Sequence, residues 1–450
     1  VTSQDKPTDH DPRAGESEQR PAAVPDGRPA EVSDGRPAVV DKPDWRHRRI
    51  EVEIGAVAHG GHCVARHEGR VVFVRHALPG ELAVVLVTDD TGGSFCRGDA
   101  VEVLRPSADR VEPPCPFSGP GLCGGCDWQH ASWDAQRELK AAVVEEQLQR
   151  LANVRRSVVV EELPGGPDGW RTRMRMAVGP ERRAGFRGHR RHSVVVVDEC
   201  VIAAPGALDE AVRREWAVGG ELSITRDAGG QVHVTESGKP QPRNGRRAVP
   251  GRPIRRRGSG TAVELAAERT WRLDAEGFWQ VHPAAADTLA SVVRDWAGGE
   301  PGQLAWDLYG GVGLFASVLA GQVGPTGRVV VVESSHRAVQ DGVANLSDLA
   351  QVEFRRGKVE DVLSSPDFVD QVPDVVVLDP PRKGAGKVVV GEIARRSPAR
   401  VVYVACDPAA LARDVATFAE LGYQLAELRA FDAFPMTHHV ECVALLVPRT

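Results

Sequence analysis

The chain of 450 residues contains no run of 18 or more apolar residues, so no segment qualifies as a transmembrane helix. Its beginning lacks the basic-then-apolar order of a signal peptide, which predicts a cytoplasmic protein. Residues 1–44 also lack any Leu, Ile, Met or aromatic side chain, and "DGRPA" occurs twice within them. Such a segment cannot bury enough apolar area to offset its chain entropy, and it is predicted to be a disordered tail. Excess basic charge is missing too: a net charge of −6 gives no overall attraction to nucleic acid. Cysteine is scarce. The eight present are better read as ligands or catalysts than as disulfides in a reducing compartment.

What remains is an ordinary composition, 42% hydrophobic and 26% charged, on a chain too long for one core. Over residues 45–108, short alternating runs such as "IEVEIGAVA" and "GELAVVLVTDD" are separated by Gly, Asp and Pro turns. This is the pattern of a small antiparallel β-barrel. Residues 109–280 make a second unit, with "CPFSGPGLCGGC", a helical run "DAQRELKAAVVEEQLQRL", and a β-rich stretch holding Cys200. Two arginine-dense loops are expected there: 171–192 has eight Arg against one Glu, and 243–257 has seven Arg and no acid. They suit RNA phosphates, or are simply solvated. Over residues 281–450 the apolar runs "QLAWDLY", "RVVVVE", "DVVVLDPP" and "RVVYVACD" alternate with helical stretches. The fold class is therefore α/β, a doubly wound parallel sheet covered on both faces.

In that last domain "DLYGGVGLFA" places Gly310, Gly311 and Gly313 between the first strand and a helix, and Glu333 ends the next strand. Glycines let the backbone approach a ligand, and an acid at the second strand end suits ribose hydroxyls. A tight turn and a solvated Glu are the plainer alternative. The loop reads G-G-x-G, without the later-spaced glycine of a dinucleotide site, which favours S-adenosylmethionine. Ligands bind beyond the carboxyl ends of such strands, so Glu333, Asp379 and Cys406 are predicted to line one crevice.

Cys406 follows an apolar strand, and Asp407 with Pro408 suits the start of a helix whose positive end favours a thiolate. Packing, metal binding and nucleophilic chemistry all remain open for it on local sequence. Glu441, just inside the last apolar strand, is a candidate general base or a solvent-facing residue. Cys115, Cys123 and Cys126 have C-x7-C-x2-C spacing, with Cys200 a further 74 residues on. Four thiolates suit either zinc or a 4Fe–4S cluster. Cys63, Cys96 and Cys442 lie in strand patterns and read as packing.

"FWQVH" (278–282), "DLYGGVGLF", "DPPRKG", "CDPAALARD" and "FPMTHHVE" occur in the order seen in RNA 5-methyluridine methyltransferases. The chain resembles that family over about residues 48–448. The barrel resembles the family's TRAM domain, and the cysteine segment its iron–sulfur region. The resemblance implies a Rossmann-like enzyme that uses S-adenosylmethionine to methylate uridine C5 in RNA, either tRNA or 23S rRNA. It further implies Cys406 as nucleophile and Glu441 as proton-abstracting base. Gln280, Tyr309, Glu333 and Asp379, beside Gly311 of the loop, would contact S-adenosylmethionine, and Cys115, Cys123, Cys126 and Cys200 would hold 4Fe–4S. No membrane partner is expected, and a monomer is. One departure stands out: many relatives have Asn where this chain has Asp407, and an anion beside a thiolate opposes its formation. A cytosine-C5 methyltransferase is the nearest alternative, although those enzymes typically carry Pro where Ala405 precedes Cys406. A non-catalytic RNA-binding or folding factor is the other.

Overall fold

The computed structural model describes residues 44–449 except positions 240, 244, 245 and 250. The predicted tail, up to residue 43, and part of the second arginine-rich stretch lie outside the described residues. Strict alternation builds the first sheet: in Arg49–Glu53, Ile50 and Val52 are buried while Arg49, Glu51 and Glu53 face solvent. Five more strands, Val57–Ala58, His62–His67, Arg70–Arg75, Leu82–Asp90 and Phe95–Arg105, complete a six-stranded sheet. It curls until the strands Arg49–Glu53 and His62–His67 approach each other around Trp45, Ile54, Val72 and Val85. One pair, Arg70–Arg75 with Phe95–Arg105, is parallel, so the barrel is not wholly antiparallel. The strand Leu82–Asp90 between them carries the chain back across the sheet. Cys63 and Cys96 are buried inside, as packing residues.

The cysteine segment leads into helix Trp133–Ala152, capped by Ser132, whose hydroxyl accepts the Ala135 N–H. A second, antiparallel six-stranded sheet follows, running from Arg173–Val178 to Pro253–Arg257. The arginine-dense stretches contribute the strands Arg173–Val178, Ala184–Arg187 and Pro253–Arg257 to this sheet, so they are not loops throughout. Met174, Met176 and Val178 alternate into its core, and Arg175 between them faces solvent. Several other arginines of the stretch pair with acids, as in Arg173–Glu264 (2.7 Å), Arg183–Asp198 (2.8 Å) and Arg187–Glu221 (2.8 Å). Less positive charge is left for a polyanion than composition suggests.

The third sheet contains β1 (Leu304–Leu308), β2 (Arg328–Glu333), β3 (Val352–Arg356), β4 (Val375–Leu378), β5 (Arg400–Ala405), β6 (Tyr423–Asp432) and β7 (Glu441–Pro448). Their order is β3-β2-β1-β4-β5-β7-β6, with Val160–Glu162 added beside β6. In β2, Val329 and Val331 enter one core and Val330 and Val332 the other, which is why the run is apolar throughout. Helices Ala285–Ala297 and Leu314–Val323 cover one face; Trp133–Ala152, Gly386–Arg395 and Pro408–Glu420 cover the other. Trp271 and Leu273, from the hairpin Thr261–Ala266/Arg269–Asp274, also pack into the first of these cores. β1 to β5 are parallel. The connection 433–440 is too short for a crossover, so β7 turns back antiparallel between β5 and β6. Cys442 in β7 is fully buried, again as packing.

A buried ion pair ties the middle of the chain to this sheet. Lys140 Nζ donates to Asp432 and to the Phe434 carbonyl (3.1 Å), and the Trp133 indole donates to Asp432 (3.0 Å). Neither Lys140 nor Asp432 is exposed. Lys140→Met is expected to leave the Asp432 carboxylate without its countercharge and to cost about 3–5 kcal/mol, read from the urea unfolding midpoint.

Candidate active site

The carboxyl ends of β1, β2, β4 and β5 open into one cleft of about 1520 Å³. Gln280, Tyr309, Gly311, Glu333, Asp379, Cys406 and Glu441 all line it, whereas Gly310 and Gly313 of the same loop do not. At the end of β1 the chain turns with Tyr309 at φ 61° and Gly311 at φ 55°. A positive φ at Tyr309 is uncommon for a non-glycine residue and marks a constrained turn. Space beside Gly311 is open where a Cβ would sit, leaving its backbone accessible to a ligand. Glu333 accepts the Gly311 N–H (3.1 Å) and the Ser335 N–H (2.5 Å), which fixes its carboxylate at the strand end. Asp307, by contrast, does not line the cleft. It is fully buried, accepts the Ala316 N–H (2.8 Å), and burial pushes its carboxyl up to about 8.

Cys406 and Glu441 meet because of the antiparallel return. β5 and β7 are paired up to Ala405 opposite Cys442, so one step further places Cys406 beside Glu441 at the cleft. Glu441 is buried, and burial together with Asp379 raises its carboxyl well above the ordinary range, against the pull of Arg382. Burial, Glu441 and Asp379 push the Cys406 thiol up to about 12, and Arg382 again opposes them. Asp379 is raised by its own burial. Three acidic groups, Cys406, Glu441 and Asp379, thus crowd together near the Arg382 guanidinium, and each is held toward its protonated form.

Local sequence did not single out Arg382, His439, Asp414 or Asp127. Arg382 donates toward His439 Nε2 (3.3 Å), and burial lowers His439 to about 3, so this ring is a neutral acceptor. Asp414, inside "AALARDVATF", accepts from the Ala385 N–H (2.7 Å), the Gly386 N–H (3.2 Å) and the Tyr403 hydroxyl (2.7 Å). It therefore anchors the "DPPRKGAG" loop that presents Arg382. An acid in an otherwise apolar helix face was the available signal. Asp414→Ala is expected to cost about 2–3 kcal/mol, because several donors lose a charged acceptor. It is also expected to speed tryptic cleavage at Arg382 and Lys383, measured by limited proteolysis. Asp127 accepts from His438 Nδ1 (2.6 Å) and pairs with Arg75 of the barrel (3.3 Å), while its N–H donates to the Met436 carbonyl (2.9 Å). The segment before Glu441 is therefore held by the cysteine segment, which is held in turn by the barrel.

Cys115, Cys123, Cys126 and Cys200 line one small, mainly apolar cavity beneath Gly125 and Arg171. Burial raises the thiols of Cys123, Cys126 and Cys200, Cys126 to about 12, and neighbouring cysteines add to each shift. Among the described residues, no three His, Cys, Asp or Glu side chains are placed to share one metal ion. A mononuclear zinc site needs thiolates converging at about 2.3 Å on one point, whereas a four-iron cluster spreads its four thiolates around a larger body.

Two protein families match the chain: TRAM domain over residues 46–101 and tRNA (uracil-5-)-methyltransferase over residues 271–449. A Streptomyces coelicolor protein described as an uncharacterized RNA methyltransferase is 44% identical, covering 97% of this chain and 98% of its own length. One of the same description from Bifidobacterium longum is 38% identical over 90% and 98%. Among solved structures, Pyrococcus abyssi tRNA (uracil-54, C5)-methyltransferase in complex with S-adenosyl-L-homocysteine superposes with a TM-score of 0.65 at 23% identity. It covers 88% of this chain and 99% of that one, a likeness of fold.

Proposed function

The chain belongs to the tRNA (uracil-5-)-methyltransferase family, and from that premise we propose that it methylates C5 of uridine in RNA, with Cys406 as nucleophile and Glu441 as base. The observation that carries this reading is the Ala405–Cys442 pairing of β5 and β7, one step beyond which Cys406 and Glu441 line a cleft that also holds Glu333 and Asp379. S-adenosylmethionine would supply the electrophilic methyl group, with Gln280, Tyr309, Gly311, Glu333 and Asp379 holding it. C5 of uracil is a poor nucleophile by itself. The Cys406 thiolate bonds to C6, and the electrons of the C5–C6 double bond move toward C5 and O4. Once C5 carries the methyl group, Glu441 accepts the C5 proton, the C6–S bond breaks, and the double bond re-forms with the thiolate released. The target base has to leave its stack to reach Cys406, at a cost of a few kcal/mol. Arg171 in the cleft, and Arg190 and Arg191 in a crevice shared with Arg75 and Arg97 of the barrel, would offer the displaced RNA phosphate contacts. Mapping 5-methyluridine in tRNA and rRNA from cells with and without the protein tests the reading. Loss of the mark at one or more uridines is expected, and an unchanged map with loss of 5-methylcytosine would overturn it.

Cys115, Cys123, Cys126 and Cys200 are proposed to hold a 4Fe–4S cluster that fastens the 115–126 segment, including the residue next to Asp127. An anaerobic preparation is expected to be brown and to contain iron and sulfide. A colourless one with stoichiometric zinc would overturn the assignment. Removing the cluster with a chelator is expected to lower the thermal midpoint by several degrees, since ligands that bind only the folded state stabilise it.

A further inference from the structure

The nucleophile candidate has a carboxylate as its next residue, and that carboxylate cannot turn away. Asp407 Oδ1 accepts the Ala410 N–H (2.8 Å) and caps helix Pro408–Glu420, which holds the side chain beside the end of β5. Its other oxygen is taken by the barrel: His59 Nε2 lies 3.0 Å from Asp407 Oδ2. His59 sits in the turn between the barrel strands Val57–Ala58 and His62–His67, 348 residues away in sequence. The same turn is threaded tightly against the catalytic segment. Gly61 has φ 80°, and a Cβ there would come within 2.9 Å of the His438 side chain, three residues before Glu441.

The charges facing this corner are few. Cys406 is faced by Glu441, Asp379 and Arg382, and Asp407 by His59 and Arg413. Burial works to raise Asp407, yet the His59 hydrogen bond, the Ala410 N–H and Arg413 hold it below the ordinary carboxylate value. Asp407 therefore stays ionised beside the Cys406 thiol. An anion covalently adjacent to a thiol would ordinarily oppose thiolate formation. Here each of its oxygens already accepts a hydrogen bond, one from its own helix and one from a different domain.

We propose that His59 is a positioning residue for the nucleophile: it donates Nε2–H to Asp407, offsets that negative charge, and so makes Cys406 more reactive when the barrel is docked. This rests on the reading of Cys406 as nucleophile. The β-barrel is then part of the catalytic apparatus, beyond any role in holding RNA.

The test is the rate at which iodoacetamide alkylates Cys406 in the full-length protein without RNA, followed by mass spectrometry of the peptide containing Cys406, over a pH series. His59→Ala is expected to slow alkylation roughly threefold at each pH below the thiol midpoint, the effect of about half a pH unit. His59→Gln, whose carboxamide N–H reaches the same oxygen, is expected to stay within about twofold of the original chain. His59→Ala combined with Asp407→Asn is expected to match Asp407→Asn alone, because the charge that His59 offsets is gone. Three results would overturn the proposal: no change in His59→Ala, equal slowing in His59→Ala and His59→Gln, or slowing that persists when Asp407→Asn is added. In RNA methylation, His59→Ala is expected to lower kcat with KM for RNA unchanged. A rise in KM at constant kcat would place His59 in RNA binding instead. The alkylation series needs no RNA, so it stands or falls separately from whether uridine is the substrate.

Discussion

Cys406→Ala is expected to reduce RNA methylation by at least about 10,000-fold while leaving RNA binding within about twofold. The size follows from the chemistry: without a bond to C6, C5 has no enolate character and no other nucleophile is within reach of the same position. The fold has little reason to respond. Cys406 is only partly buried at the cleft, its Sγ packs no core, and the helix cap comes from Asp407. Initial rates of methyl incorporation and a filter-binding isotherm, measured on the same preparation, check both halves. Turnover within about tenfold of the unsubstituted chain would sink the covalent mechanism.

Glu441→Gln is expected to lower turnover by about 100- to 10,000-fold and, unlike Cys406→Ala, to leave RNA covalently attached to the protein. Burial and Asp379 raise the Glu441 carboxyl, so its ionised form is a strong base. A carboxamide of the same shape fills the same space and cannot accept the C5 proton. Expulsion of the thiolate depends on that proton leaving, so the C6–S bond survives. A slowly migrating protein–RNA band under denaturing electrophoresis is the readout, and the double substitution Cys406→Ala/Glu441→Gln should remove it. A Glu441→Gln chain that turns over poorly without a trapped band would deny Glu441 the role of base.

The two substitutions differ in what reading the chain alone could offer. Cys406 was recognisable as the end of an apolar strand followed by a capped helix, since "VVYVACDPAAL" carries strand end, cap and first-turn proline in consecutive positions. Glu441 was visible only as an acid at the edge of an apolar run. Its place beside Cys406 depends on β7 reversing between β5 and β6 and on Ala405 pairing with Cys442. The arginine-rich stretches show the opposite case. Their composition suggested loops, RNA-contacting or simply solvated, yet the alternation of Met174, Met176 and Val178 puts part of the first in a strand, and Arg173 and Arg187 are held by acids from other strands.

The sequence by itself determined the α/β class, the strand ends that carry Glu333, Asp379 and Cys406, the glycine turn after β1 and the grouping of four cysteines. Each is written in local period or spacing, where neighbouring residues dictate one another's geometry. Tertiary structure alone decided which charges face which. Lys140 meets Asp432, Asp127 meets His438, and His59 meets Asp407 across 292, 311 and 348 residues. Such contacts depend on how elements distant in sequence dock to within a hydrogen-bond length, and no local pattern encodes that distance. Asp407 illustrates the result: beside Cys406 in sequence it is an anion opposing a thiolate, and in the folded chain its charge is met by a histidine from the barrel.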